Sequence, residues 1–271
     1  MELEKIEQMA KLMRRKILDI SHTCNHSAHL GGGLSMVDLT ATLYGDVLHH
    51  DPANPSWPER DRFILSKGHG VLGYFTALFA AGFFTEEKFN TFQTNESDLI
   101  AHPVMNLELG IESSNGSLGQ GLSLGVGLAL AAKKRKQVHK VFVLLGDGEC
   151  NEGSVWEAAM CAAQFKLDNL TAIIDYNKFQ SDGAGPSIMD YGVFEDKWKS
   201  FGWNVQSVDG HDIPAIHHAF TKADVADQPK VLVAHTVKGK GIGFMEHNNE
   251  WHHNRLTKAH YDQAVQALEG N

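Results

Sequence analysis

The chain has 271 residues, 42% of them hydrophobic, which is enough for one large α/β domain with a sizeable core and too little for two ordinary ones. Its net charge of -9 argues against a nucleic-acid groove, because phosphate contacts need clustered Lys and Arg, and the one dense basic run, Lys133 to Lys136, suits the negative end of a helix dipole. A metal-bridged anion stays compatible with that charge, since the ion brings its own positive charge to the site.

From Glu2 to Lys16 the chain is charged throughout, and Ile6, Met9, Met13, Ile17 and Ile20 recur at helical spacing, so an amphipathic helix is expected and not a signal peptide. Met36 to Leu48 and Val71 to Ala81 read as helices, Arg62 to Leu65 as a short strand, and Asp51 to Pro58 as a surface connection rich in Pro, Asn and Ser. Leu118 to Ala132 reads as a helix that carries Gly119, Gly121, Gly125 and Gly127. Glycine costs helix stability, so close packing against another helix or a subunit is expected there. The nearly apolar stretch Leu122 to Ala132 is too short to cross a bilayer, and no membrane span is expected.

In the second half, β-branched runs at Val141 to Leu145, Leu170 to Asp175, Trp203 to Val208 and Val231 to Val237 alternate with helical patterns. Val155, Ala159 and Ala163 mark the face of one such helix, and Ile213 to Ala223 forms another. The alternation predicts an α/β fold, a doubly wound parallel sheet with helices on both faces, as a single domain over residues 1–271. In such sheets ligands bind beyond the carboxyl ends of the strands. Cys24, Cys150 and Cys161 form no CxxC pair, which fits a reducing cytoplasm.

The strand ends carry the chemistry. Val141 to Leu145 runs into Gly146, Asp147 and Gly148, then a helix bearing Trp156; the next strand closes on Asn177, thirty residues after Asp147. A hard cation such as Mg²⁺ takes oxygen ligands, one or two from protein and the rest from phosphate and water. Asp147 and Asn177 can supply two and the Phe179 carbonyl a third, while the flanking glycines let a diphosphate approach the Gly148 amide. A Gly-Asp-Gly alone is usually a plain turn, and its placement between strand and helix is what gives it weight.

This stretch resembles the diphosphate-binding motif of thiamine-diphosphate enzymes, which opens with Gly-Asp-Gly and closes with Asn. Three further segments are similar to transketolases: Ser27 to Gly33 around His29, DRFILSKGHG around His69, and His102 with Pro103 followed by Gly116, Ser117, Leu118 and Gly119. Trp251 and His252 match that family's last active-site histidine. The turn after His29 lacks the family's usual prolines, and His253 replaces a common glycine; both departures are similar to those in shorter two-subunit members.

The resemblance implies the thiamine-diphosphate-binding fold and the N-terminal subunit of a transketolase using thiamine diphosphate and Mg²⁺, with Ca²⁺ or Mn²⁺ as substitutes. It implies His29, His69, His102 and His252 as catalytic residues; His69, Gly116, Ser117, Leu118, Asp147, Gly148, Asn177 and His252 as cofactor contacts; and Asp147, Asn177 and Phe179 as metal ligands. The glutamate that activates the cofactor lies, in the family, on a following domain, so a C-terminal partner subunit is implied. With self-association this gives two copies of each, a heterotetramer acting on sugar phosphates. Glu152 and Glu157 read equally as carboxylates favoured at a helix start or as a buried link between active sites at a subunit contact.

Competing readings are a deoxyxylulose-phosphate synthase relative, a 2-oxoacid dehydrogenase subunit and a non-catalytic scaffold subunit. Zinc is disfavoured because His247, His252 and His253 lack one-face helical spacing, and a nicotinamide domain because no strand leads into Gly-x-Gly-x-x-Gly.

Overall fold

A computed structural model describes residues 2–270. The strands are β1 (Ser27–Ala28), β2 (Arg62–Leu65), β3 (Val141–Gly146), β4 (Leu170–Tyr176), β5 (Asn204–Asp209), β6 (Lys230–His235) and β7 (Asn254–Arg255). The helices are α1 (Glu2–Thr23), α2 (Leu30–Ser35), α3 (Val37–Thr42), α4 (Val71–Ala80), α5 (Glu86–Phe89), α6 (Gly121–Lys134), α7 (Gly153–Gln164), α8 (Gly185–Ile188), α9 (Phe194–Ser200), α10 (Ile213–Thr221) and α11 (Lys258–Glu269).

Five strands form one parallel sheet in the order β2-β3-β4-β6-β5, and β1 pairs antiparallel with β7 in a separate two-stranded ladder. Side chains of a strand alternate between its faces, so each central strand feeds two cores. Val141, Val143 and Leu145 of β3 pack with Leu122 and Val126 of α6 and with Val155 and Ala159 of α7. Phe142 and Leu144 face the other way, toward a core that also takes Ile6, Met13, Ile17 and Ile20 of α1 and the apolar side of α4. The expected stripe on α1 is thus its buried face, with Met9 partly buried beside it. Lys133 and Lys134 do occupy the last turn of α6, where Lys133 also pairs with Asp168 at 2.9 Å. Among the described residues no helix is long and apolar enough to cross a membrane.

Several boundaries differ from the sequence expectation; α10, for one, closes at Thr221 and not at Ala223. The last strand stops at His235, so Thr236 and Val237 leave the sheet and turn toward the strand ends. Met36 to Leu48 is not one helix: α3 ends at Thr42 and a π-helical turn spans Leu43–Val47. Leu118 to Gln120 lie outside α6 in a loop, with Gly119 at φ 81°.

The glycines of α6 do pack closely, but against the sheet. A Cβ on Gly121 would lie 2.3 Å from Ser66 Oγ, and one on Gly125 would lie 2.5 Å from Val143 Cγ2. Gly127 points to open space, with nothing within 4 Å of the same position. Opposite signs follow for two chemically equal changes. Gly127→Ala should stabilise the chain by about 0.5–1 kcal/mol through helix propensity. Gly125→Ala should destabilise it, because overpacking a tight contact costs roughly 1–3 kcal/mol and outweighs that gain. Urea denaturation of the two variants measures both, and a stabilised Gly125→Ala chain would refute the packing argument.

Candidate active site

The parallel register aligns the strand ends in one row: Leu65 opposite Leu144, Gly146 opposite Asp175, and Tyr176 opposite His235. The residues that leave those ends are Lys67, Asp147, Asn177 and Thr236. The first three line a cavity of about 430 Å³ together with His29, His69, His102 and His252. Gly116, Leu118, Gly148 and Phe179 line it as well, while Ser117 is exposed between its two neighbours.

Asp147 and Asn177 are tied to one another's strands. Asp147 N donates to Asp175 O at 3.3 Å. The Asp147 carboxylate accepts from Gly148 N at 2.9 Å and from Lys178 N, the residue after Asn177, at 2.6 Å. Asn177 Oδ1 accepts from Phe179 N at 3.0 Å, and its Nδ2 donates to Asp175 Oδ2 at 3.1 Å, so the amide is oriented from both sides. A Cβ on Gly148 would lie 2.7 Å from Gln180 Cγ, and only glycine lets this turn close against the loop after β4.

Beneath these groups lies a buried network that the sequence reading did not single out. Lys67 Nζ pairs with Asp175 and donates to Gly32 O at 2.8 Å. Asp175 also accepts from Ser35 Oγ at 2.6 Å and from Thr236 Oγ1. Burial alone would raise the Asp175 pKa, but Lys67 and these donors hold it below the usual carboxylate range. Glu149, also buried, accepts from Ser66 Oγ, from Gly119 N at 2.9 Å and from Gly146 N at 3.0 Å; burial raises its pKa. It ties the Gly119 loop to the Asp147 turn. The signal for Lys67 and Asp175 was an ionisable residue at the end of an apolar strand, where burial requires a partner. Their pairing is a tertiary fact with no local pattern.

Asp147 has no ion-pair partner among the described residues, and burial followed by the neighbouring Asp175 charge pushes its pKa up to about 7. A carboxylate held in that way, beside an amide oxygen and a chain turn free of side chains, is an all-oxygen donor set suited to a hard divalent cation. Among the described residues no group of three or more His, Cys, Asp or Glu side chains is placed to hold a metal ion.

The histidines surround the other end of the cavity. His29 has ring centroids 5.2, 6.1 and 5.3 Å from His69, His102 and His252, and His69 lies 5.5 Å from His252. Burial lowers the pKa of His29 to about 3, with the charge of neighbouring imidazoles the next cause, and holds that of His69 well below its ordinary value, with Lys67 the next cause. His252 falls to about 4 through burial and then Lys238. His29, His69 and His252 are therefore neutral at pH 7. Lys238 Nζ donates to His252 Nδ1 at 2.7 Å and to Asn249 Oδ1 at 2.9 Å, so neutral His252 carries its proton on Nε2. Burial, with Lys67 nearby, lowers Lys238 itself to about 8. Glu152 lines the cavity and is exposed in this chain, and Glu157 is exposed on α7.

Residues 6–270 match the family described as transketolase, thiamine diphosphate binding domain. An apulose-4-phosphate transketolase subunit of Phocaeicola vulgatus is 40% identical over 269 residues, covering 99% of this chain and 95% of that protein. The 6-deoxy-6-sulfo-D-fructose transketolase subunit SqwG of a Clostridium species is 43% identical over 242 residues, covering 89% and 88%. Among solved structures, the transketolase from Leishmania mexicana superposes with a TM-score of 0.90 at 27% identity, over 97% of this chain and 41% of that one. The transketolase from Campylobacter jejuni gives 0.88 at 28% identity, over 99% and 43%. The chain therefore spans about two-fifths of these solved transketolases and nearly the full length of the subunit relatives. Matched along nearly all of its length, it belongs to the transketolase family and has that family's thiamine-diphosphate-binding fold.

Proposed function

We propose that this chain is the diphosphate-binding subunit of a two-part cytoplasmic transketolase, a single domain over residues 1–271 that assembles with a C-terminal partner subunit as two copies of each. The assembled enzyme transfers a two-carbon ketol unit from a ketose phosphate to an aldose acceptor. The observation that carries this reading is the placement of Asp147 and Asn177 at the ends of neighbouring parallel strands, at one cavity walled by His29, His69, His102 and His252. Relatives of nearly the same length, themselves named as transketolase subunits, support a separate partner chain.

In this reading Asp147, Asn177 and the Phe179 carbonyl hold Mg²⁺, with Ca²⁺ or Mn²⁺ as substitutes. Gly148, His69 and His252 contact the cofactor's diphosphate end, and Gly116, Ser117 and Leu118 hold its rings through backbone groups. Thiamine diphosphate, when bound, supplies the carbanion chemistry by which the ketol unit is cleaved and passed on. The chain's own residues position and protonate. Binding energy at the diphosphate, remote from the reacting carbon, fixes where that carbon sits. His102 and His252 offer imidazoles that donate to substrate hydroxyls and take or return a proton, with neutral His252 presenting Nε2–H. The partner supplies the activating glutamate.

The decisive assay mixes the chain with its co-purified partner, thiamine diphosphate and Mg²⁺, and scores ketol transfer over a panel. That panel comprises xylulose 5-phosphate, fructose 6-phosphate, apulose 4-phosphate and 6-deoxy-6-sulfofructose. Transfer by the mixture and none by the chain alone is expected; full activity of the chain alone would refute the two-part reading. In the same assay His102→Ala and His252→Ala should each lower kcat by about a hundredfold or more while cofactor affinity changes far less. Unchanged turnover would remove that histidine from the reaction.

Asp147→Asn should abolish Mg²⁺-dependent thiamine-diphosphate binding in calorimetry with partner present. It should also stabilise the unliganded chain above pH 7, because a carboxyl whose folded pKa lies above its ordinary value favours the fold when protonated and opposes it once ionised. A gain of about 2–4 °C in Tm corresponds to each kcal/mol so relieved.

His29 and His252 act in the opposite sense. Their folded pKa values lie below 6.5, so as pH falls through 6.5 the unfolded chain takes up protons that the folded chain does not. Stability from this source is complete above pH 6.5 and declines toward pH 4. In the parent chain Asp147 partly offsets that decline. The Asp147→Asn chain should therefore lose Tm more steeply than the parent between pH 7 and pH 5, and parallel curves would show that the Asp147 linkage is absent.

A further inference from the structure

The two-stranded ladder joins the segment before His29 to the segment after His252. Its register sets Ser27 opposite Arg255 and Ala28 opposite Asn254. One step further along an antiparallel pair, His29 faces His253. Their rings meet with centroids 4.4 Å apart and planes at 45°, closer than His29 stands to His69, His102 or His252.

The two rings differ in surroundings. His29 lines the cavity, whereas His253 is exposed and reaches the cavity only through its contact with His29. After burial, the charge of His253 is the next cause holding His29 in its neutral form. Yet His253 makes no hydrogen bond to any described residue. Both nitrogens of its imidazole are unspent, one a donor and one an acceptor when the ring is neutral. A cavity of about 430 Å³ must already take a diphosphate and the ring beside it, so the remainder of a sugar phosphate has to extend outward, past its mouth.

We propose that His29 and His253 form a two-imidazole subsite at the cavity mouth, in which His253 hydrogen-bonds hydroxyls of the sugar phosphate beyond the two carbons transferred. His253 is then a specificity-determining residue: it discriminates among donors by the hydroxyl pattern of the part that is left behind. This rests on the transketolase reading given above.

The test uses the complete two-subunit enzyme with thiamine diphosphate and Mg²⁺ on the substrate panel of the preceding subsection. His253→Ala should raise the donor KM about three- to tenfold, the worth of one hydrogen bond, with kcat within about twofold and cofactor affinity unchanged. It should also reorder the donors, since they differ in the hydroxyls lost as partners. His253→Gln, which keeps a donor and an acceptor, should recover part of the loss. His253→Phe, which keeps a ring against His29 but no polar atom, should not. A Phe variant that behaves as the parent, or three variants with the parent's KM and donor ranking, would overturn the subsite while leaving the transketolase activity intact. A parent complex that transfers no ketol unit from any donor would overturn the activity itself and this inference with it.

Discussion

The site depends on one buried ion pair. Lys67 and Asp175 are 1% and 0% exposed, meet across the end of β3 from β2 and β4 on either side of it, and have no solvent to share their charge with. Removing one member of such a pair typically costs ~3–5 kcal/mol, because the other is left charged and uncompensated in a low-dielectric interior. Here the pair also gathers partners. Through Asp175 it holds Ser35 of α2, Thr236 after β6 and the Asn177 amide; through Lys67 it holds the Gly32 carbonyl. The segment carrying His29 is thereby fastened beneath the strand ends that carry Asp147 and Asn177. Because Asn177 spends its amide nitrogen on Asp175, its oxygen is fixed on the opposite side of the amide, where it accepts from Phe179 N. The orientation of a proposed metal ligand is set by a residue that never reaches the ion.

The same pair explains the electrostatics of the cavity. A chain with net charge -9 is poorly suited to an anion in bulk, yet the local arrangement concentrates buried ammonium groups, Lys67 and Lys238, beside histidines that burial keeps neutral. Neutral imidazoles can donate at one nitrogen and accept at the other, which charged ones cannot. Asp147 stands outside this balance. Its pKa of about 7 records a carboxylate that is buried and brought close to Asp175, with two backbone amides and the more distant Lys67 charge only partly offsetting both effects. In the proposed holoenzyme a divalent cation removes that tension, so the unliganded fold carries a local cost that cofactor binding would relieve.

Periodic features were legible in the sequence. Arg62 to Leu65 and Val141 to Leu145 form strands where their β-branched runs lie, and the stripe from Ile6 to Ile20 is the buried face of α1. The gathering of His29, His69, His102 and His252 was legible only through resemblance, since nothing in their spacing brings them together. Lys67, Asp175, Glu149 and Lys238 were not singled out, because each is an ordinary charged residue until tertiary structure buries it. The glycines of α6 were read for close packing, but not for its partner: Gly121 and Gly125 meet side chains from β2's end and β3, contacts that no local pattern names. Strand β6 ends two residues early for a similar reason. Thr236 N still donates to Tyr176 O of β4 at 3.2 Å while its hydroxyl reaches Asp175, and pairing stops at Val237, whose N donates to His211 Nε2.

What the cavity asks of folding follows from where its walls come from. They run from His29 to His252, almost the whole chain, and the first and last of them are joined by a ladder of only two residue pairs. A two-stranded ladder of that length is not stable by itself. It persists because α1, α2 and α11 pack around it: α1 and α11 share a core with Leu30 and Trp251, and Arg15 of α1 pairs with Glu269 of α11 at 2.7 Å. The contacts that complete the histidine cluster are therefore among the most distant in sequence, and loop closure makes such contacts entropically costly to form. The diphosphate end behaves differently, because Asp147 and Asn177 are thirty residues apart on neighbouring strands and their geometry follows from the sheet alone. The sheet prescribes the anchoring half of the site, and docking of the chain's two ends prescribes the reacting half, so variation in the second can retune the substrate without disturbing the first.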